Sequence, residues 1–128
     1  MLVLTSKKYE VEEPVKVVNE SDETLYEFTM QITADEMKQI KDILLDESYK
    51  LSKEKDEDIL LEKSLKLQEK FEEICFKEHK ELFKEKCGEY KYLEMVDMMY
   101  DFFMTAFIEK RAKQVNTINT SLKKIGNN

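Results

Sequence analysis

The chain has 128 residues, 41% hydrophobic and 38% charged, with a net charge of −7. Leu, Ile, Val and Phe supply 35 residues, enough for a core, so a disordered or low-complexity chain is excluded. Two Gly and one Pro exclude a turn-rich sandwich or barrel, and one His with two Cys leaves little material for a catalytic centre.

The first third reads as strands. Tyr26, Phe28, Met30 and Ile32 alternate with Glu27, Thr29 and Gln31, a period of two. Tyr9, Val11, Val15 and Val17 keep the same parity, and the polar segment from Asn19 to Glu23 forms turns. A β-hairpin over 1–32 follows. Leu2 and Leu4 leave open a third strand, and hence a three-stranded meander. Pro14 cannot donate to a ladder, so its strand is an edge or is broken there.

Thr33-Ala34-Asp35-Glu36 is a capping box that opens a helix over 33–46, with Met37, Ile40 and Leu44 on one face. Glu47–Ser52 reads as a loop. A long helix over 53–87 follows, with Leu60, Leu67 and Ile74 recurring every seven residues. Its apolar residues thin out at Lys77–Lys80, which leaves room for a break. Gly88 is a natural stop. The next helix, over 90–114, is apolar almost all round. Glu94, Asp97 and Asp101 form its one acidic stripe, so the pattern predicts a helix buried on most sides. Over 115–128 the Asn, Thr and Ser content says coil. Yet Val115, Ile118, Leu122 and Ile125 are spaced 3, 4, 3 and continue Met104, Ile108 and Ala112 as an amphipathic seam. The order of elements predicts one α+β domain, mostly α: a hairpin or meander, then three helices, two of them long.

Charge is unevenly placed. Residues 91–109 carry one basic and four acidic side chains, whereas residues 110–128 carry only Lys110, Arg111, Lys113, Lys123 and Lys124. The acidic body disfavours binding nucleic acid over the whole surface. The most apolar segment, Tyr92–Ile108, is too short and too charged to span a bilayer. Met1–Thr5 lacks the pattern of a secretory leader. Cys75 and Cys87 would stand about 18 Å apart on one helix, beyond disulfide reach, and read as reduced intracellular thiols.

Chemistry-bearing clusters are few. Cys75 and His79 sit at i,i+4, as a zinc half-site would, but Cys87 is two turns further on and a fourth ligand does not converge. The simpler reading is a core cysteine and a surface histidine. The same pair as nucleophile and base lacks any oxyanion-hole motif, and with two glycines there is no phosphate-binding loop. No metal, cofactor or enzymatic activity is expected. The apolar residues Met95, Met98, Met99, Phe102, Phe103 and Phe107 are read as core or as an adaptable partner surface. Val115, Ile118, Leu122 and Ile125, with Lys123 and Lys124, are read as a partner-dependent helix.

Three stretches carry a resemblance: Lys8-Tyr9-Glu10-Val11, Leu25-Tyr26-Glu27-Phe28 running into Thr33-Ala34-Asp35-Glu36, and Tyr100-Asp101-Phe102-Phe103 through Lys113-Gln114-Val115-Asn116. They resemble small proteins of the tail gene modules of phages and prophages of low-GC Gram-positive bacteria. Twenty Lys to one Arg agrees with an AT-rich coding sequence. The resemblance implies a non-enzymatic tail assembly chaperone or small structural tail protein. It would act on a tail or tape-measure protein or on copies of itself, in the host cytoplasm or within the particle. The alternative is a small regulator or inhibitor that binds a host protein or a nucleic acid through its basic C-terminal end.

Overall fold

The alternating segment folds as an antiparallel hairpin of β1 (Val11–Val18) and β2 (Thr24–Ile32). The computed structural model describes the backbone of residues 1–126 and the side chains of all but residue 121 and residues 124–126. Val11 pairs with Ile32, Val15 with Phe28 and Val17 with Tyr26, so the apolar sets of both strands share one face. In the turn, Asn19 Oδ1 accepts from the amides of Ser21 (2.9 Å) and Glu23 (3.0 Å), and Asp22 takes φ 62°, which Asp tolerates better than most residues. The third strand does not form: Leu2 and Leu4 are fully exposed outside any ladder. Two alternating leucines bury too little to offset the ordering of their backbone.

The capping box is present in full. Thr33 Oγ1 accepts from the Glu36 amide at 3.2 Å and Glu36 Oε1 accepts from the Thr33 amide at 3.0 Å. It opens α1 (Ala34–Lys41), which runs on as a π-helical turn, Asp42–Glu47, and then α2 (Ser48–Leu51). The expected loop at Glu47–Ser52 is therefore mostly helical. Its polar residues face solvent and no Gly or Pro interrupts it. The Ser48 hydroxyl bonds the Ile43 carbonyl at 2.9 Å across the widened turn. Ile40, Ile43 and Leu44 make the buried face.

The expected helix over 53–87 is two helices, α3 (Glu57–Phe76) and α4 (Lys80–Cys87), broken by a 3₁₀ turn at Lys77–His79. Lys77 sits at φ 51°, ψ −127°, a conformation that favours glycine. Its ammonium compensates: Nζ donates to the carbonyls of Gln31 (2.8 Å) and Ile74 (3.1 Å) and pairs with Glu36 at 2.9 Å. Burial opposes the Glu36 charge, yet Lys77 and the Thr33 cap outweigh it and hold that carboxyl below its usual range. The break redirects the chain so that Phe76 and Phe83 are both buried. Their rings lie 5.5 Å apart, and Phe28 and Tyr92 lie 5.8 and 4.8 Å from Phe76. Gly88, at φ 89°, ends α4 and admits α5 (Glu89–Gly126).

The chain is α+β and mostly helical, a two-stranded hairpin followed by three helical stretches, two of them long. Its contacts group into two units, Met1–Val96 and a second from Asp97 onward. The first holds the hairpin, α1 to α4 and the aromatic core. The second is the rest of α5, which continues as helix through the segment whose composition says coil.

Candidate protein-docking face

Two polar clusters compete with the α5 surface as functional sites, and both have structural explanations. Cys75 is 2% exposed, and burial pushes its thiol up to about 12. His79 is not the surface residue expected. Its ring stacks on Phe28, with centroids 4.6 Å apart, and its Nδ1 is hydrogen-bonded to Tyr26 Oη at 2.6 Å. The break at Lys77 ends the helical register that would have put Cys75 and His79 on one face. A protonated thiol and a histidine held by a tyrosine do not make a nucleophile and base. Among the described residues, no three His, Cys, Asp or Glu side chains gather as a metal ion would require.

The second cluster is internal. Tyr92 donates a hydrogen bond to Glu72, whose Oε1 lies 3.5 Å from Lys80 Nζ, and Lys84 Nζ sits 4.7 Å above the Tyr92 ring. Burial and then the Glu72 bond push the Tyr92 hydroxyl up. Glu72 is 6% exposed, so it reads as a buried charge compensated from two sides. Lysines make a third feature, missed in the sequence. Lys50, Lys63, Lys66 and Lys70 rim a groove of about 350 Å³ floored by Leu51 and Leu67. The spacing of Lys63, Lys66 and Lys70 was its only signal. Lys50 and Lys66 are already paired, with Glu47 and Glu62.

α5 differs in kind. Its buried side chains are Tyr92, Val96, Met99 and Phe103, spaced 4, 3, 4, a single narrow stripe. The expectation of burial on most sides is thus corrected. Met98 is 63% exposed, Tyr100, Phe102 and Ile108 are exposed, and Met95 and Phe107 are half-buried. Met99 and Phe103 are withdrawn from any surface contact, and Phe102 lies edge-on to Phe103 at 5.1 Å. From Ile108 to Lys123 every described side chain is exposed, including Val115 (49%), Ile118 (59%) and Leu122 (60%). Lys124 and Ile125, which the sequence adds to this set, lie outside the described side chains.

The spacing within this segment is informative. Met104, Ile108, Ala112, Val115, Ile118 and Leu122 follow at 4, 4, 3, 3, 4, a narrow apolar stripe along one helix face. Lys110 and Lys113 lie toward the opposite side of the helix, Lys123 about a quarter-turn from the stripe, and the acids Asp97, Asp101 and Glu109 precede or begin the run. Apolar stripes exposed along one helix face are the feature through which amphipathic helices dock in apolar grooves. No described helix is long and apolar enough to cross a membrane. No family model, curated protein or solved structure matches the chain.

Proposed function

We propose that the chain is a non-enzymatic component of phage or prophage tail morphogenesis, a tail assembly chaperone or small structural tail protein. It acts in the host cytoplasm by docking a tail or tape-measure protein on the seam of α5. The observation that carries this reading is the run from Ile108 to Leu122, whose Ile108, Val115, Ile118 and Leu122 lie on one face and whose described side chains are all exposed. The likeness of three stretches of the chain to tail-module proteins supplies the biological setting. The bound state of His79 and the protonated thiol of Cys75 favour a binding role over catalysis.

The rival reading, a small regulator or inhibitor that binds a host protein or a nucleic acid through its basic end, draws in its nucleic-acid form on the exposed Lys110, Arg111, Lys113 and Lys123. The apolar seam running among those charges favours a protein partner, because phosphate contacts gain nothing from exposed Ile and Leu.

Co-expression with the tail-tube and tape-measure proteins of the same gene module tests the proposal. The full chain should co-purify with one of them, and a chain ending at Lys113 should not. Retention of the partner by the shortened chain overturns the proposal. Salt-sensitive retention of nucleic acid instead of protein establishes the rival.

A further inference from the structure

We propose that the groove between α2 and α3 is a binding site for a small amphiphilic anion, an oxyanion such as a carboxylate carried on a short apolar body. Every residue of the groove belongs to the first unit, and the proposal does not depend on the role given to α5.

Three observations carry it. First, the groove gathers positive charge on an acidic chain. Lys63, Lys66 and Lys70 stand at i, i+3 and i+7 on α3, and Lys50 comes from α2. The acids in the lining are Glu47 and Glu54, so four positive charges meet two negative ones on a protein of net charge −7. Glu54 is engaged with the Asp56 amide at 3.2 Å. Among the described residues Lys63 and Lys70 meet no carboxylate at ion-pair distance. Lys50 and Lys66 pair with Glu47 and Glu62 at 3.3 and 3.1 Å, with the lysine side chains 71% and 70% exposed. Pairs so exposed contribute little, and an incoming anion loses little by displacing them.

Second, the floor is apolar. Leu51 and Leu67 are half-buried beneath the lysines. An inorganic ion leaves both leucines in water, whereas an alkyl or aryl body covers them. The volume of about 350 Å³ sits at the low end of the range for small-molecule sites. Two leucines offer far less than the roughly 800 Å² per partner of a stable protein interface, which favours a small molecule over a protein. An ammonium is a point charge without the fork of a guanidinium, so the lysines select charge rather than the shape of the oxyanion.

Third, an uncommon backbone sets one wall. α2 follows directly on the π-helical turn Asp42–Glu47. A π-helical stretch turns less per residue than an α-helix, so it alters the side on which Lys50 and Leu51 emerge relative to Ile40. Such turns are rare and are frequently found at functional sites.

Titration of the full chain with octanoate, followed by the amide chemical shifts of isotopically labelled protein, tests the proposal. Saturable binding with a Kd of about 0.1–1 mM is expected for a ligand of about ten heavy atoms, with shifts centred on residues 47–54 and 63–70. Acetate has the charge without the apolar body and should bind about tenfold more weakly or worse. Octyltrimethylammonium has the apolar body with the opposite charge and should not compete. Lys63→Gln with Lys70→Gln should weaken octanoate about fivefold or more. Lys63→Arg with Lys70→Arg keeps the charge and should restore binding, and both double variants should melt as the parent does. Acetate binding as tightly as octanoate would leave an adventitious ion only and overturns the proposal. Competition by the cation, shifts centred elsewhere, or an affinity indifferent to the glutamines overturns it too. If octanoate fails to bind while phosphatidylglycerol vesicles retain the chain through Lys63 and Lys70, the lysines serve a membrane surface and the proposal falls.

Discussion

Lys77 combines a backbone conformation suited to glycine with three contacts of its ammonium, to the end of β2, the last turn of α3 and Glu36 at the start of α1. Glycine and alanine at this position separate the two effects, since both lose the ammonium and only alanine keeps the strain. Lys77→Gly should be more stable than Lys77→Ala by about 1 kcal/mol, and both less stable than the parent, in urea unfolding. Equal stability of the two variants would remove strain from the account. The thiols make a second residue-scale contrast. At pH 8 a thiol with a pKa of about 12 is ionised to roughly one part in ten thousand. A thiol reagent should therefore label the half-exposed Cys87 in the native protein, faster as pH rises, and reach Cys75 only on unfolding. Labelling of both at one rate would mean that the core opens readily. The break at Lys77–His79 is legible in the thinning of apolar residues at Lys77–Lys80, but the backbone conformation of Lys77 and the contacts of His79 are not. A positive φ at lysine has no composition signal, and the partners of His79, Tyr26 and Phe28, lie about fifty residues away on another element.

At the scale of elements, local pattern carried most of the information. The period of two in β2 and the capping box at Thr33 are both realised, because each is decided by neighbours a few residues apart. The stretch Glu47–Ser52 reads as loop because polarity signals solvent rather than chain reversal; the π-helical turn ends in it at Glu47 and α2 carries the helix on through Ser48–Leu51. α5 shows the sharper limit. Its periodicity announces an apolar helix, but a helix apolar all round does not say which stripe is covered. Burial picks out Met99 and Phe103 and leaves Met98 and Phe102 outside. Phe103→Ala should cost about 3–5 kcal/mol in thermal or urea unfolding. Phe102→Ala should cost well under half of that, as Phe102 keeps contact with water. Similar losses at both positions would mean that Phe102 is covered in the working protein.

For the whole molecule, the long interval between the hairpin and the helices that cover it has a consequence for synthesis. β2 presents Phe28, Met30 and Ile32 to a core completed by Phe76, Phe83 and Tyr92. Some sixty residues separate Ile32 from Tyr92. At about 5–20 residues per second, that interval lasts roughly 3–12 s on the ribosome. During it the nascent hairpin shows an uncovered apolar face and two open edges, the template from which strands aggregate between chains. The acidic residues around it, Glu10, Glu12, Glu13, Glu20, Glu23 and Glu27, are exposed, and Pro14 within β1 has no amide to offer a neighbouring strand. These features contribute little to the finished fold. They act instead as gatekeepers of the unfinished one, keeping neighbouring nascent chains apart by repulsion until the polypeptide that buries β2 has been made.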